Sequence, residues 1–256
     1  LGYPAVYRIH DSPHPDRIRT LAAFVAKLGF KLELKKNALN NDTASQKAMK
    51  HLLTEVKGTP VEFMVNEITL RTMAKAIYSE KNIGHYGLGF DFYTHFTSPI
   101  RRYPDLITHR LLFEYEALRK AHAKLTTTRL GFLRRTIPAI CQNSSEQEKN
   151  ASDAERESIK LKQVEYITDH IGEAFEGVIS GVTEFGVYVK IDKLMIEGMV
   201  HIRNLRDDYY KFDERSYSVV GERRGKRFQM GQRVKVQVES TDIKRKTIDF
   251  ALAPTT

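Results

Sequence analysis

A chain of 256 residues, 41% of them hydrophobic, is long enough for one large or two ordinary domains and can bury a real core. Its 41 lysines and arginines against 32 acidic residues leave a net charge of +9, which points to a polyanionic partner, nucleic acid ahead of an anionic membrane surface. The single cysteine, Cys141, excludes an internal disulfide framework and fits a reducing cytoplasm; no apolar run reaches membrane-span length, and no signal-peptide, CxxC, HExxH or Walker-type pattern occurs.

Alternation after Pro4 predicts a short strand within residues 3–9. Ser12 and Pro13 open a helix to about Lys27, with Ile18, Leu21, Ala22, Val25 and Leu28 on one stripe and Gly29 ending it. Residues 30–42 read as a loop with an Asn-Asn-Asp turn, and a second helix follows over 43–55. Thr59 as cap, Pro60 at the first position and Glu62 just inside predict a third helix, reaching about Tyr78. Residues 83–96 mix three glycines with five aromatics, as either a base-stacking wall or a tight core turn.

Residues 93–112 concentrate two adjacent arginines, two histidines and two prolines. Pro99 and Pro104 stiffen the backbone around Arg101 and Arg102. Ser98 is placed to cap the helix that follows, to about Lys124, and Pro104 and Asp105 suit its first turn. Two guanidinium groups at a helix entrance suit a phosphate, since rigid bidentate donors there join the helix dipole. The same pair also suits a structural role, bridging to carboxylates. Residues 126–128 cap a short helix that stops before Pro138, and a long polar helix covers 141–171. His10 and His14 stand four apart, but Pro13 spoils that spacing for a metal pair.

Near Ile171 the texture changes to β-branched alternation with glycine turns. Strands are expected over 174–180, 186–191, 197–202, 232–240 and 246–252, the pattern of an OB-type barrel. The insertion at 206–231 carries Tyr209, Tyr210, Tyr217 and a basic run including Arg223, Arg224 and Lys226. Alternation turns Tyr188 away from the barrel interior. With Phe185, His201, Arg203 and Lys190 nearby, it suits base stacking plus phosphate contact, unless these rings are buried under the insertion.

The stretch HFTSPIRRYPDL at 95–106 resembles the signature of the RNB exoribonucleases, the ribonuclease II and ribonuclease R group, and VYRIHDSP at 6–13 and HYGLG at 85–89 agree. GVISGVTEFGVYV at 177–189 and EGMVHI at 197–202 resemble the hallmark strands of an S1 RNA-binding domain. The runs DDYYKFD at 207–213, GERRG at 221–225 and GQRV at 231–234 are similar to the ribonuclease R branch. The resemblance implies an α+β chain: the mainly helical C-terminal half of an RNB catalytic domain over 1–170, then an S1 domain (OB-fold β-barrel) over 171–256. It implies a cytoplasmic, processive 3′→5′ exoribonuclease that threads single-stranded RNA 3′ end first and hydrolyses it to nucleoside 5′-monophosphates. Arg101 matches the arginine that grips a phosphate near the scissile bond. Arg102 sits where the family varies between Arg and Lys, and Glu155 matches a glutamate lining the channel end. Ser98, Tyr93 and His95 are candidates for RNA contact; His85, Tyr93, His95 and His109 suit the channel wall, and each also suits a packed, hydrogen-bonded place in the core, the reading given more weight.

One departure matters. The family holds Mg²⁺ with aspartates spaced D-x5-D-x-D-D, and that pattern is absent: Asp207 and Asp208 have Met199 and Leu205 at the other two positions. The chain is therefore expected to be an inactive fragment, joined by a missing N-terminal part of the same protein and carrying no metal ligands of its own. The alternative is a non-catalytic module that binds single-stranded RNA.

Overall fold

The computed structural model describes residues 2–32, 42–59, 61–213, 216 and 218–253. Pro60, Tyr217 and most of the loop expected over 30–42 lie outside them. The chain gathers into two compact units, one of Leu1–Ile18, Glu33–Ala48 and Arg71–Asp153, the other of Arg19–Leu32, Met49–Leu70 and Ala154–Thr256.

The first unit holds β1 (Tyr7–Ile9) antiparallel to β2 (Ile77–Ser79), with Arg8 opposite Tyr78. The third helix was expected to run on to Tyr78. It stops at Thr72 instead, because Tyr78 in an extended strand enters a core of Val6, Leu111, Leu133, Ile137 and Cys141. Helix α4 (Tyr103–Lys120) and the long α5 (Thr127–Thr168) build the rest, and Arg129 clamps Glu114 at 2.9 and 2.8 Å.

Pro138 does not break α5, contrary to the two separate helices expected; one helix of 42 residues runs through it. An interior proline removes one helix hydrogen bond and costs about 3 kcal/mol. Leu133, Ile137 and Cys141 form one buried stripe across it, and full burial of a Leu or Ile side chain is worth about 1.5–3 kcal/mol. The stripe outweighs the proline.

The second unit takes most of α1 (Pro15–Lys27), the end of α2 (Asp42–Glu55), most of α3 (Glu62–Thr72) and the end of α5. The α1 stripe is real: Leu21 and Val25 are fully buried, and Gly29 follows with φ +87°. Past α5, strands β3 (Ala174–Thr183), β4 (Gly186–Ile191), β5 (Ile196–His201), β9 (Arg233–Asp242) and β10 (Thr247–Leu252) close a five-stranded barrel in the order β10-β5-β4-β3-β9. Its one parallel contact, β10 with β5, gives the OB arrangement. Ile179, Val189, Val236 and Phe250 fill it. The insertion is a separate three-stranded sheet, β6 (Tyr210–Asp213), β7 (Ser218–Gly221) and β8 (Arg227–Gln229).

Candidate functional site

The signature loop is built around a carboxylate the sequence had assigned only to a helix turn. Asp105 is fully buried in the first turn of α4. Its Oδ2 accepts the Ser98 backbone N–H at 2.8 Å and the Arg102 guanidinium at 2.9 and 3.2 Å. Ser98 therefore does not cap the helix; the N-cap is Arg102, without a side-chain cap bond, and Asp105 reaches back to tie Ser98 from inside. Of the two arginines, Arg102 takes the structural role, salt-bridged to Asp105 and touching Thr97. Arg101 is exposed and has no hydrogen bond or ion pair from its side chain among the described residues.

Behind the loop stands a ladder of rings. His10 and His85 lie 5.0 Å apart, His85 and Tyr93 5.1 Å, Tyr93 and His95 5.8 Å. His95 Nδ1 shares a 2.8 Å hydrogen bond with the Tyr78 hydroxyl, and Arg8 lies over the Tyr78 ring while pairing with Glu148 at 2.6 Å. Burial first, then the Arg102 and Arg8 guanidinium groups, hold His95 below the usual histidine pKa. His85 is lowered by burial and by His10. His10 uses both nitrogens, donating from Nε2 to the Ala74 carbonyl and accepting the Gly87 N–H at Nδ1. A Cβ on Gly87 would lie 2.8 Å from that Nδ1, so only glycine fits there. His109 stacks on Phe96 at 4.0 Å. The glycine-aromatic segment divides its work: Tyr86 is buried in a tight 3-10 turn, while Phe90, Phe92 and Phe96 are exposed.

On the barrel, Phe185, Tyr188, His201 and Arg203 line one open cleft with Glu184, Met199 and Ile202. Phe185 is 64% exposed at the β3–β4 turn. Tyr188 lies half-buried on the outer face of β4, between the buried Val187 and Val189. His201 pairs with Asp249 at 3.2 Å, a partner from β10 that no spacing in the sequence indicated. Among the basic run, Arg224 is exposed, Arg223 lies over the Tyr209 ring, and Lys226 is bound to Asp207 at 3.0 Å, so it is no free phosphate contact. Lys190 is half-buried on β4, and Glu155 is exposed on α5 within the second unit.

The RNB domain model matches residues 1–117 and the S1 RNA-binding domain model residues 168–253. Ribonuclease R 1 of Lactococcus lactis is 40% identical over 253 residues, covering 99% of this chain and 30% of that protein. The chain carries an RNB domain followed by an S1 RNA-binding domain. Ribonuclease R of Thermotoga maritima is 38% identical, over 98% of this chain and 34% of its own length. The solved Mycoplasma genitalium RNase R in complex with ribose-methylated single-stranded RNA matches 98% of the chain and 38% of its own, at 28% identity and a TM-score of 0.84. The chain thus spans about a third of the length of the curated relatives it matches.

Among the described residues no three His, Cys, Asp or Glu side chains come together as a metal site. Asp207 and Asp208 are occupied otherwise: Asp207 by Lys226 and Tyr210, Asp208 by the backbone N–H groups of Tyr209, Arg223 and Arg224. These donors hold both carboxyls below the usual range.

Proposed function

We propose that this chain is part of a cytoplasmic, processive 3′→5′ exoribonuclease that hydrolyses single-stranded RNA to nucleoside 5′-monophosphates. Within it the chain contributes a phosphate-gripping arginine and an RNA-holding S1 domain. Mg²⁺ and its aspartate ligands are assigned to the N-terminal part of the same protein, and the chain alone is inactive. The observation that carries this reading is Arg101: exposed, unpaired among the described residues, and mounted on a loop tied at both ends to a buried carboxylate. A guanidinium held in place meets charge that develops on a phosphate without itself moving a proton. Tyr93, His95 and Ser98 are assigned to the channel wall beside it.

The second reading, a non-catalytic RNA-binding module, is favoured by the S1 cleft, whose rings and Arg203 all come from this chain. One chimera separates the two. This chain replaces the corresponding third of Lactococcus lactis ribonuclease R, and release of mononucleotides from single-stranded RNA is followed. A processive chimera whose activity collapses with Arg101→Ala supports the nuclease reading. A folded chimera that binds RNA and cuts none supports the module.

A further inference from the structure

The cleft at the Phe185 face shares Ile202 and Arg203 with a second cleft, lined also by Arg206, Tyr209 and Arg223. This second cleft belongs to the insertion. The two adjacent tyrosines there have different fates. Tyr210 is used internally, its hydroxyl on Asp207 at 3.0 Å and its ring 5.5 Å from Phe228. Tyr209 is presented outward, 67% exposed. Its backbone is nonetheless pinned on both sides. The N–H donates to Asp208 at 2.7 Å, and the carbonyl accepts the Glu222 N–H at 2.8 Å. Asp208 also takes the Arg223 and Arg224 N–H groups, and a Cβ on Gly221 would lie 2.5 Å from its carboxylate. The sheet is thus knitted around a ring that it does not bury. Arg223 lies over that ring at 5.3 Å.

The charges divide in the same way. The acids of this region are satisfied: Asp207 by Lys226, Asp208 by backbone donors, Glu222 by Lys211. The guanidinium groups of Arg203, Arg206 and Arg223 have no ion pair among the described residues. An outward ring on a fixed backbone with unpaired cations around it is a stacking platform for a base with its phosphates.

We propose that single-stranded RNA bound on the Phe185 face continues into this neighbouring cleft, where Tyr209 stacks one further base and Arg203, Arg206 and Arg223 take the flanking phosphates. The inference rests on the RNA-binding reading of the S1 face. It extends the footprint by a subsite that the insertion supplies.

The test is fluorescence anisotropy of labelled single-stranded RNA with the full 256-residue chain. One RNA has about 4 nucleotides, enough for the first face, and one about 12, enough for both. Tyr209→Ala is expected to weaken the longer RNA about 5- to 150-fold and leave the shorter one unchanged. Phe185→Ala weakens both. Tyr209→Phe keeps the ring and binds like the parent, which separates stacking from a folding defect. Arg206→Ala lowers the steepness of log affinity against log salt for the longer RNA by about 0.7. If Phe185→Ala weakens binding and Tyr209→Ala leaves the longer RNA untouched, the second subsite is wrong while the S1 reading stands. Equal losses on both lengths for Tyr209→Ala also overturn it. If neither ring matters, both readings fall.

Discussion

Arg102 gives its guanidinium to Asp105, and Arg101 gives its own to no partner among the described residues. That division predicts different outcomes from the two alanine variants in the active chimera. Arg101→Ala should lower single-turnover cleavage by about 100- to 1000-fold, the loss of one preorganised donor at roughly 2.7–4 kcal/mol. RNA affinity should barely change, because many other contacts hold the strand. Arg101→Lys should rescue little, since a point charge lacks the planar fork. Arg102→Ala should show instead as lost stability, because it leaves the buried Asp105 carboxylate unpaired. Equal losses of rate and affinity in Arg101→Ala would reduce that residue to an anchor. The motif was legible in the sequence as an arginine pair, but which arginine is free was not. That depends on a carboxylate folding back onto Ser98, and spacing alone does not show it. His95 carries a second prediction. Its folded pKa lies below the ordinary 6.5, so just below that pH the unfolded chain binds more protons than the folded one. Stability is therefore fully present above about pH 6.5 and declines as the pH falls toward the folded value. Urea unfolding across this window should show that decline, and His95→Gln should make it shallower. An identical slope in the variant would assign the effect elsewhere, with His85, shifted in the same direction, as the next candidate.

The barrel strands were the most legible elements, and all five begin within a residue of their expected starts. Their alternation is enforced by a filled interior, so sequence and structure carry the same period. The helix ends around Tyr78 and Pro138 were not legible, since tertiary burial overrode local preference in both. The insertion showed only as tyrosines and basic residues, because Asp208 organises it by accepting backbone N–H groups that every residue type offers. Within the barrel, Gly198 on β5 gives a test of packing. A Cβ there would lie 2.6 Å from the Phe250 ring and 2.8 Å from the Ile248 carbonyl, and that backbone atom cannot rotate away. Gly198→Ala should destabilise the barrel by about 1–3 kcal/mol, as overpacking does, read as a lower urea midpoint. Gly131→Ala, where nothing lies within 4 Å of the added Cβ, is the control and should be neutral or stabilising. A Gly198→Ala protein as stable as the parent would mean the β5–β10 contact is looser than drawn.

At the scale of the molecule, the two functions expected of the chain separate cleanly. The rings and cations proposed to hold RNA all lie within the second unit. The aspartate spacing D-x5-D-x-D-D that the resemblance ties to hydrolysis occurs nowhere in the 256 residues. The first unit also exposes Phe92 at 74%, Phe113 at 73% and Ile100 completely. A chain that spans about a third of its relatives is expected to meet the rest of an RNB domain over such surface. The purified chain should therefore bind single-stranded RNA, with affinity falling steeply as salt rises, because phosphate contacts release counterions. It should release no mononucleotides at any Mg²⁺ concentration. Adding the N-terminal part of the Lactococcus lactis relative as a separate polypeptide should restore release, and Arg101→Ala in this chain should abolish the restored activity. Mononucleotide release by the chain alone, with contaminating nuclease excluded by an Arg101→Ala sample prepared in parallel, would place a complete catalytic centre within these residues and overturn the division.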